Sequence, residues 1–270
     1  MKTTAGILAV VFLTVAGLFS LSSKASATLD NQTRGSIPGL LNTLTEAEKT
    51  EGWKLLFDGK SLAGWRGIGQ EGLPKGHWVI EDDAIKKAAA GEVTRQKDGQ
   101  PLQGGDLMTL ATFADFELRL EWKISPGGNS GVKYNVSEEM SKTYAPQGAA
   151  IGFEYQILDD DIHPDAKNGP NRTAAALYDL IAPEGKTLKP VGEFNEARIV
   201  LRRNHGEHWL NGVKVLEFDL ATPKMNELVA ASKYRDIPAF AEKRRGHIVF
   251  QDHGDTVWFR NIKIREVELP

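Results

Sequence analysis

The residues whose types and spacing suit chemistry gather between Gly148 and Tyr178. Ile151, Phe153, Tyr155 and Ile157 alternate there with Gly152, Glu154 and Gln156. Successive strand side chains point to opposite faces, so this is a strand with one apolar and one polar side. A carboxylate and a carboxamide then share a surface about 7 Å apart, from a rise of about 3.3 Å per residue. Such a Glu, facing a groove that tunes its pKa, can act as general base, general acid or nucleophile. Retaining glycosidases need two carboxyls about 5 Å apart, and the same-face neighbour here is an amide. The plain alternative is an amphipathic strand whose polar side lies in water.

Three further groups of residues surround this strand in the sequence. Lys133 and Asn135 alternate with Val132, Tyr134 and Val136. If their strand neighbours that of Glu154, Lys133 sits beside the carboxylate and can steady a developing oxyanion. A solvent-facing ion pair, worth under about 1 kcal/mol, is the ordinary reading of such a pair. Asp159, Asp160, Asp161, His163 and Asp165 follow the Glu154 strand. Clustered oxygens suit a divalent cation such as Ca²⁺, and His invites a transition metal. The run lacks the Gly and closing Glu of an EF-hand loop, and turn-building by Asp accounts for it equally. Gln251 and His253 share one face at a strand end, where His titrates near neutrality. Trp65, Trp78 and Tyr178 are aromatics that could stack on a pyranose or fill the core. No Gly-x-Ser-x-Gly elbow, phosphate-cradling loop, zinc spacing or dinucleotide fingerprint is present.

The elements that must carry these residues read as strands. Phe116, Leu118, Leu120, Trp122 and Ile124 alternate with charged residues, and His208 to Val215 folds about Asn211-Gly212 as a hairpin. Around these, short alternating segments and turns recur from Trp53 to Val267, which predicts an all-β sandwich of antiparallel sheets. Thr45 caps a short helix carrying Glu46 and Glu48. Leu220 to Phe240 breaks the rhythm and is expected to be an irregular insertion with one helical turn bordering the site.

The 270 residues are 41% hydrophobic, with 33 Lys and Arg against 36 Asp and Glu, a net charge of −3. That is long enough for a substantial core. The absence of a basic run argues against nucleic acid, and no feature calls for an obligate protein partner. Lys2, the apolar run Ile7 to Leu21 and the Ala25-Ser26-Ala27 cleavage site form the pattern of a signal peptide over residues 1–27. A lead-in over 28–50 and one domain over 51–268 follow. With no cysteine there is neither disulfide nor lipid anchor on Cys. The expectation is a periplasmic or secreted bacterial protein, free of the membrane after cleavage.

Taken together, several segments resemble a known family. They are Trp53 to Leu62 with Gly64-Trp65, Asn129-Ser130-Gly131-Val132-Lys133-Tyr134, Gly152 to Asp160, Ala176-Leu177-Tyr178, Gly192 to Glu196, His208 to Gly212, and Gln251-Asp252-His253-Gly254 through Ile262. In order and identity they resemble the 3-keto-disaccharide hydrolases across roughly Glu51 to Val267. The resemblance implies a concanavalin A-like jelly roll and cleavage of a small carbohydrate substrate. A ketone at C3 acidifies the proton at C2, so a single base can start an elimination and no second carboxylate is required. Glu154 is then the expected base, Lys133 or a bound cation the enolate's counter-charge, and His253 or Asp159 the proton donor. Gln156, Tyr178 and Gln251 would orient hydroxyls, with Asn135, standing where the family often carries Arg, as a further substrate contact. A non-catalytic, lectin-like carbohydrate-binding module is the competing class, because jelly rolls serve both.

Overall fold

The computed structural model describes residues 1, 40–88 and 104–267. The signal-peptide reading and most of the lead-in fall outside the described residues. Among them the strands, in chain order, are β1 (Lys54–Leu55), β2 (Trp65–Gly67), β3 (Trp78–Glu81), β4 (Ala84–Lys87), β5 (Leu107–Thr109), β6 (Phe116–Ile124), β7 (Asn129–Val136), β8 (Phe153–Leu158), β9 (Asn195–Arg202), β10 (His205–Leu210), β11 (Val213–Asp219), β12 (His247–Phe250) and β13 (Val257–Glu266). They form two antiparallel sheets, as a jelly roll requires. The 8-stranded sheet runs β11-β10-β9-β6-β13-β4-β3, with β1 on β13, and the 5-stranded sheet runs β2-β5-β12-β7-β8.

Period-two alternation builds the core between the sheets. Phe116, Leu118, Leu120, Trp122 and Ile124 of β6 are all buried, and they meet Val132, Tyr134, Phe153, Tyr155 and Ile157 from the other sheet. Phe250 of β12 stacks on Phe259 of β13 with ring centroids 4.0 Å apart, joining the layers. Each large side chain buried this way contributes about 1.5–3 kcal/mol.

The short helices have local causes. In α1 (Glu46–Thr50), Thr45 is the N-cap as expected, and with Glu48 it forms a reciprocal capping box. The Ser137 hydroxyl accepts the Met140 N–H at the start of α2 (Glu138–Tyr144), a helix that strand patterning does not announce. The segment expected to hold one helical turn holds nine residues of helix, α3 (Pro223–Ala231). Thr222 caps it and Pro223 occupies the first turn, where a missing N–H costs nothing. Asn42, inside the segment read as a flexible lead-in, exchanges hydrogen bonds of 2.7 and 2.8 Å with Asn261 and is fixed to β13. No helix among the described residues is long and apolar enough to cross a membrane.

A buried histidine links the sheets. The Tyr134 hydroxyl donates to His208 Nε2 at 2.8 Å, and His208 Nδ1 donates to the Ala175 carbonyl at 3.1 Å. Burial pushes the His208 pKa down to about 4. The unfolded chain, with an ordinary His near pH 6.5, therefore binds more protons than the native state between these values. Stability is present above that window and is lost as pH falls through it, by roughly 2–3 kcal/mol at pH 4.5. Urea titrations at pH 7 and 4.5 check this. The wild type is expected to lose that much more than His208→Gln over the same interval.

Candidate active site

The site is laid out by the register of three strands. Lys133 of β7 stands opposite Glu154 of β8, and Gly131 stands opposite Gln156. On the other flank of β7, Gln251 donates its N–H to the Gly131 carbonyl at 2.9 Å. Gln251, Gly131 and Gln156 thus form one transverse row, with Lys133 and Glu154 in the next. The bare Gly131 makes room for the acid: a Cβ there would lie 2.2 Å from Glu154 Oε1. The carboxylate therefore leans across β7.

The water-facing reading of this strand does not hold. Glu154 is 3% exposed and Gln156 1%, because every residue of β7 and β8 is buried. One face packs in the core, and segments distant in sequence wall the other. A cavity of about 160 Å³ lies against Glu154 and Lys133, bounded by Tyr144, Ile151, Lys233 and Tyr234. That is room on the order of ten water-sized groups, comparable to one hexose ring.

Burial raises the Glu154 pKa, and the Lys133 and Lys233 ammonium groups partly oppose that rise. The result is a carboxylate more basic than an exposed one, with cations close by. Lys133 Nζ is fixed by the Ala150 carbonyl at 3.0 Å and by Asp106 Oδ2 at 3.3 Å. Lys233, from the loop after α3, lies 4.3 Å from the Tyr178 ring centroid.

Two acceptors remain open. Gln156 Oε1 and Gln251 Oε1 are buried and have no hydrogen-bond partner among the described residues. Leaving a buried acceptor unsatisfied costs about 1–3 kcal/mol, so both oxygens call for donors such as sugar hydroxyls. The Gln156 amide nitrogen donates to Asn129 Oδ1 at 3.4 Å, and Asn129 Nδ2 lies 3.4 Å from His253 Nε2. His253 is thereby tied to the same polar face, with its Nδ1 3.8 Å from Asp255 Oδ2.

Residues that could hold a metal differ from those expected. His163, His253 and Asp255 bring potential ligand atoms within 4.8 Å of one another. Two imidazoles and a carboxylate suit a transition metal, and burial together with the facing His253 lowers the His163 pKa. However, His163 Nδ1 accepts the Asp165 N–H at 3.1 Å. A ligating imidazole normally donates from its second nitrogen, so this arrangement suits a hydrogen-bonded group better than a metal cage. The acidic loop is occupied with its own construction. Asp159 accepts the N–H groups of Gly127 (2.7 Å) and Asp161 (3.2 Å). Asp160 pairs with Lys186 at 2.6 Å, and Asp165 accepts the Tyr178 hydroxyl at 2.7 Å.

The remaining candidates divide. Tyr178 lies beside Lys233, but its hydroxyl is taken by Asp165 and Arg172. Asn135 donates to the Glu242 carbonyl at 2.8 Å and accepts the Arg244 N–H at 2.7 Å, so it clamps that segment. Trp65 and Trp78 are core residues whose indole N–H groups donate to Leu56 and Gly105 carbonyls, each at 2.6 Å. Gly131, Asn129, Asp106 and Lys233 were missed. Asn129 and Gly131 stand four and two residues before Lys133, but their Gly-rich surroundings read as a loop before Val132, and only the strand's start at Asn129 puts them on its face. Asp106 and Lys233 come from other segments and carry no comparable signal.

The profile of the 3-keto-alpha-glucoside-1,2-lyase-like domain matches residues 52–265. A 3-keto-disaccharide hydrolase of Bacteroides thetaiotaomicron is 40% identical over 235 residues, which cover 81% of this chain and 79% of that protein. Among solved structures, a Parabacteroides distasonis chain assigned as a glycosyl hydrolase superposes with a TM-score of 0.72 at 30% identity, covering 85% of this chain and 100% of the other. A second chain from the same organism, with the same assignment, gives a TM-score of 0.58 at 29% identity over 80% and 99%.

Proposed function

The chain belongs to the 3-keto-alpha-glucoside-1,2-lyase-like family, and we propose from that premise that it cleaves 3-keto-glycosides and disaccharides by elimination followed by hydration. The observation that carries this reading is one buried carboxylate of raised pKa, Glu154, set opposite Lys133 beside two open carboxamide oxygens.

Glu154 takes the C2 proton, which the C3 ketone has acidified, and the electron pair moves onto the ketone oxygen as an enolate. A carboxylate with a raised pKa is better matched to this transfer than an ordinary one. The Lys133 ammonium, fixed beside it, stabilises charge that develops only along the reaction. The enolate then expels the C1 substituent and leaves a C1=C2 double bond. His253, at the far end of the Gln156–Asn129 chain, protonates the departing oxygen. Asp159 was the other candidate for that proton, but its oxygens hold backbone amides. Water adds at C1, and the proton returned to C2 completes a net hydrolysis. Gln156 and Gln251 accept protons from substrate hydroxyls and fix the ring. In this reading the leader over residues 1–27 makes the protein an exported one, periplasmic or secreted.

The test is turnover of a glucoside oxidised at C3 against its unoxidised parent, with and without a chelator. Cleavage confined to the oxidised sugar is expected, and equal cleavage of the parent contradicts it. Binding of unmodified oligosaccharide without any cleavage would mark a lectin-like module instead. Loss of rate on chelation would move the enolate's counter-charge from Lys133 to a bound divalent cation.

A further inference from the structure

Behind Lys133 lies a buried carboxylate that does not itself line the cavity beside Glu154, yet it ties the working strands together. Asp106, 1% exposed, immediately precedes β5. Its Oδ2 accepts from Lys133 Nζ at 3.3 Å and from the Ala150 N–H at 2.8 Å. Its Oδ1 accepts the Asp252 N–H at 2.8 Å. One side chain thus joins β7, the approach to β8 and the turn that carries Gln251 and His253. The polar contacts continue beyond it, since the Asp252 carboxylate pairs with Lys87 Nζ at 3.3 Å and contacts His77 Nδ1 at 2.5 Å.

We propose that Asp106 is the positioning residue of this site, holding the Lys133 ammonium beside Glu154 and locking the Gln251–His253 turn to the same frame. The inference rests on the roles given above to Glu154 and Lys133. Lysine is a point charge on a flexible four-carbon stem, and a misplacement of about 1 Å can cost on the order of 100-fold in rate. Lys133 Nζ donates to Asp106 and to the Ala150 carbonyl, and Asp106 is itself held by the amide of the same Ala150. The ammonium therefore cannot swing without breaking these buried hydrogen bonds.

Asp106 also acts on Glu154 through its charge. The groups facing Glu154 are Lys133 from β7, Lys233 from the loop after α3, His253 beyond β12, the hydroxyls of Tyr178 and Tyr234, and Asp106. Asp106 is itself a carboxylate, and it raises the Glu154 pKa where the cations lower it. Neutralising it leaves Glu154 facing cations. A merely structural role would leave the pH profile in place.

The experiment measures steady-state turnover of a C3-oxidised glucoside across pH for the full chain and for D106N, D106E, K133M and the D106N/K133M and D106E/K133M doubles. D106N is expected to lose about 10- to 100-fold in kcat, with KM within about threefold of wild type, and its acid limb moves to lower pH. D106E keeps the limb and recovers part of the rate. The D106N/K133M double loses less than the product of the two single losses, because part of the Asp106 effect passes through Lys133. Should D106N fail to fold, D106E decides: it slows the wild type by a larger factor than it slows K133M. Wild-type kcat and limb in D106N, or losses that multiply in either double, would overturn the inference. If E154Q turns over the same substrate at the wild-type rate, the assignment of the base has failed, not that of Asp106.

Discussion

Glu154→Gln lowers kcat on a 3-keto-glucoside by about 10³-fold, within the 10²–10⁴ that a positioned general base contributes. The effect is expected to be this large because the side chain is the only carboxylate on its strand face and Gln cannot take a proton. The fold should survive. Gln is nearly isosteric, and an amide is less costly to bury than a charge at this depth. The pH profile supplies a second reading. In the wild type the active form is the deprotonated acid, so the rate rises with pH through the Glu154 pKa, which burial lifts above the ordinary glutamate value. That acid limb should vanish in the variant. Steady-state kinetics between pH 4 and 8 measure both effects, and full turnover in the variant removes Glu154 from the mechanism.

Gly131→Ala tests the geometry rather than the acid. An added Cβ would stand 2.2 Å from Glu154 Oε1 and 2.8 Å from its Cδ, closer than such atoms ever approach. The carboxylate has to move, and a displacement of about 1 Å at a reacting group costs on the order of 100-fold in kcat/KM. The Gly131 backbone is not in the left-handed region, so alanine strains no dihedral. An alanine in mid-strand is otherwise favoured over glycine by roughly 0.5–1 kcal/mol. Activity should therefore fall while the far-UV spectrum is unchanged. A fully active variant would place the carboxylate elsewhere.

How much of this was legible in the sequence depended on whether a signal was local. The β6, β7 and β8 alternations and the Asn211-Gly212 turn each lie within a few residues, and the structure follows them. Asn211 and Gly212 both adopt positive φ, 48° and 83°, as that turn demands. Pairing of Lys133 with Glu154 could only be conditional, because alternation fixes the face of a strand and leaves open its neighbour and register. Burial of the Glu154 face was invisible for a related reason. Its cover comes from the β7–β8 connection, which holds α2, and from the loop after α3, far along the chain. Asp159 and Asn135 mislead in the opposite direction: their types suit catalysis and binding, yet both hold backbone, which is what Asp and Asn commonly do at turns. The Asp106 carboxylate carries no pattern at all, since its meaning lies in the three segments that it joins.

Elimination from a 3-keto sugar requires that the bond from C2 to hydrogen break before the bond from C1 to oxygen. The direct measurement uses a glucoside oxidised at C3 and deuterated at C2, turned over by the wild-type protein in ordinary water. The prediction is slower turnover than with the protonated sugar, and a product whose C2 hydrogen comes from solvent. A product that keeps its C2 deuterium, formed at an unchanged rate, would mean that cleavage at C1 proceeds without Glu154 acting as a base on carbon.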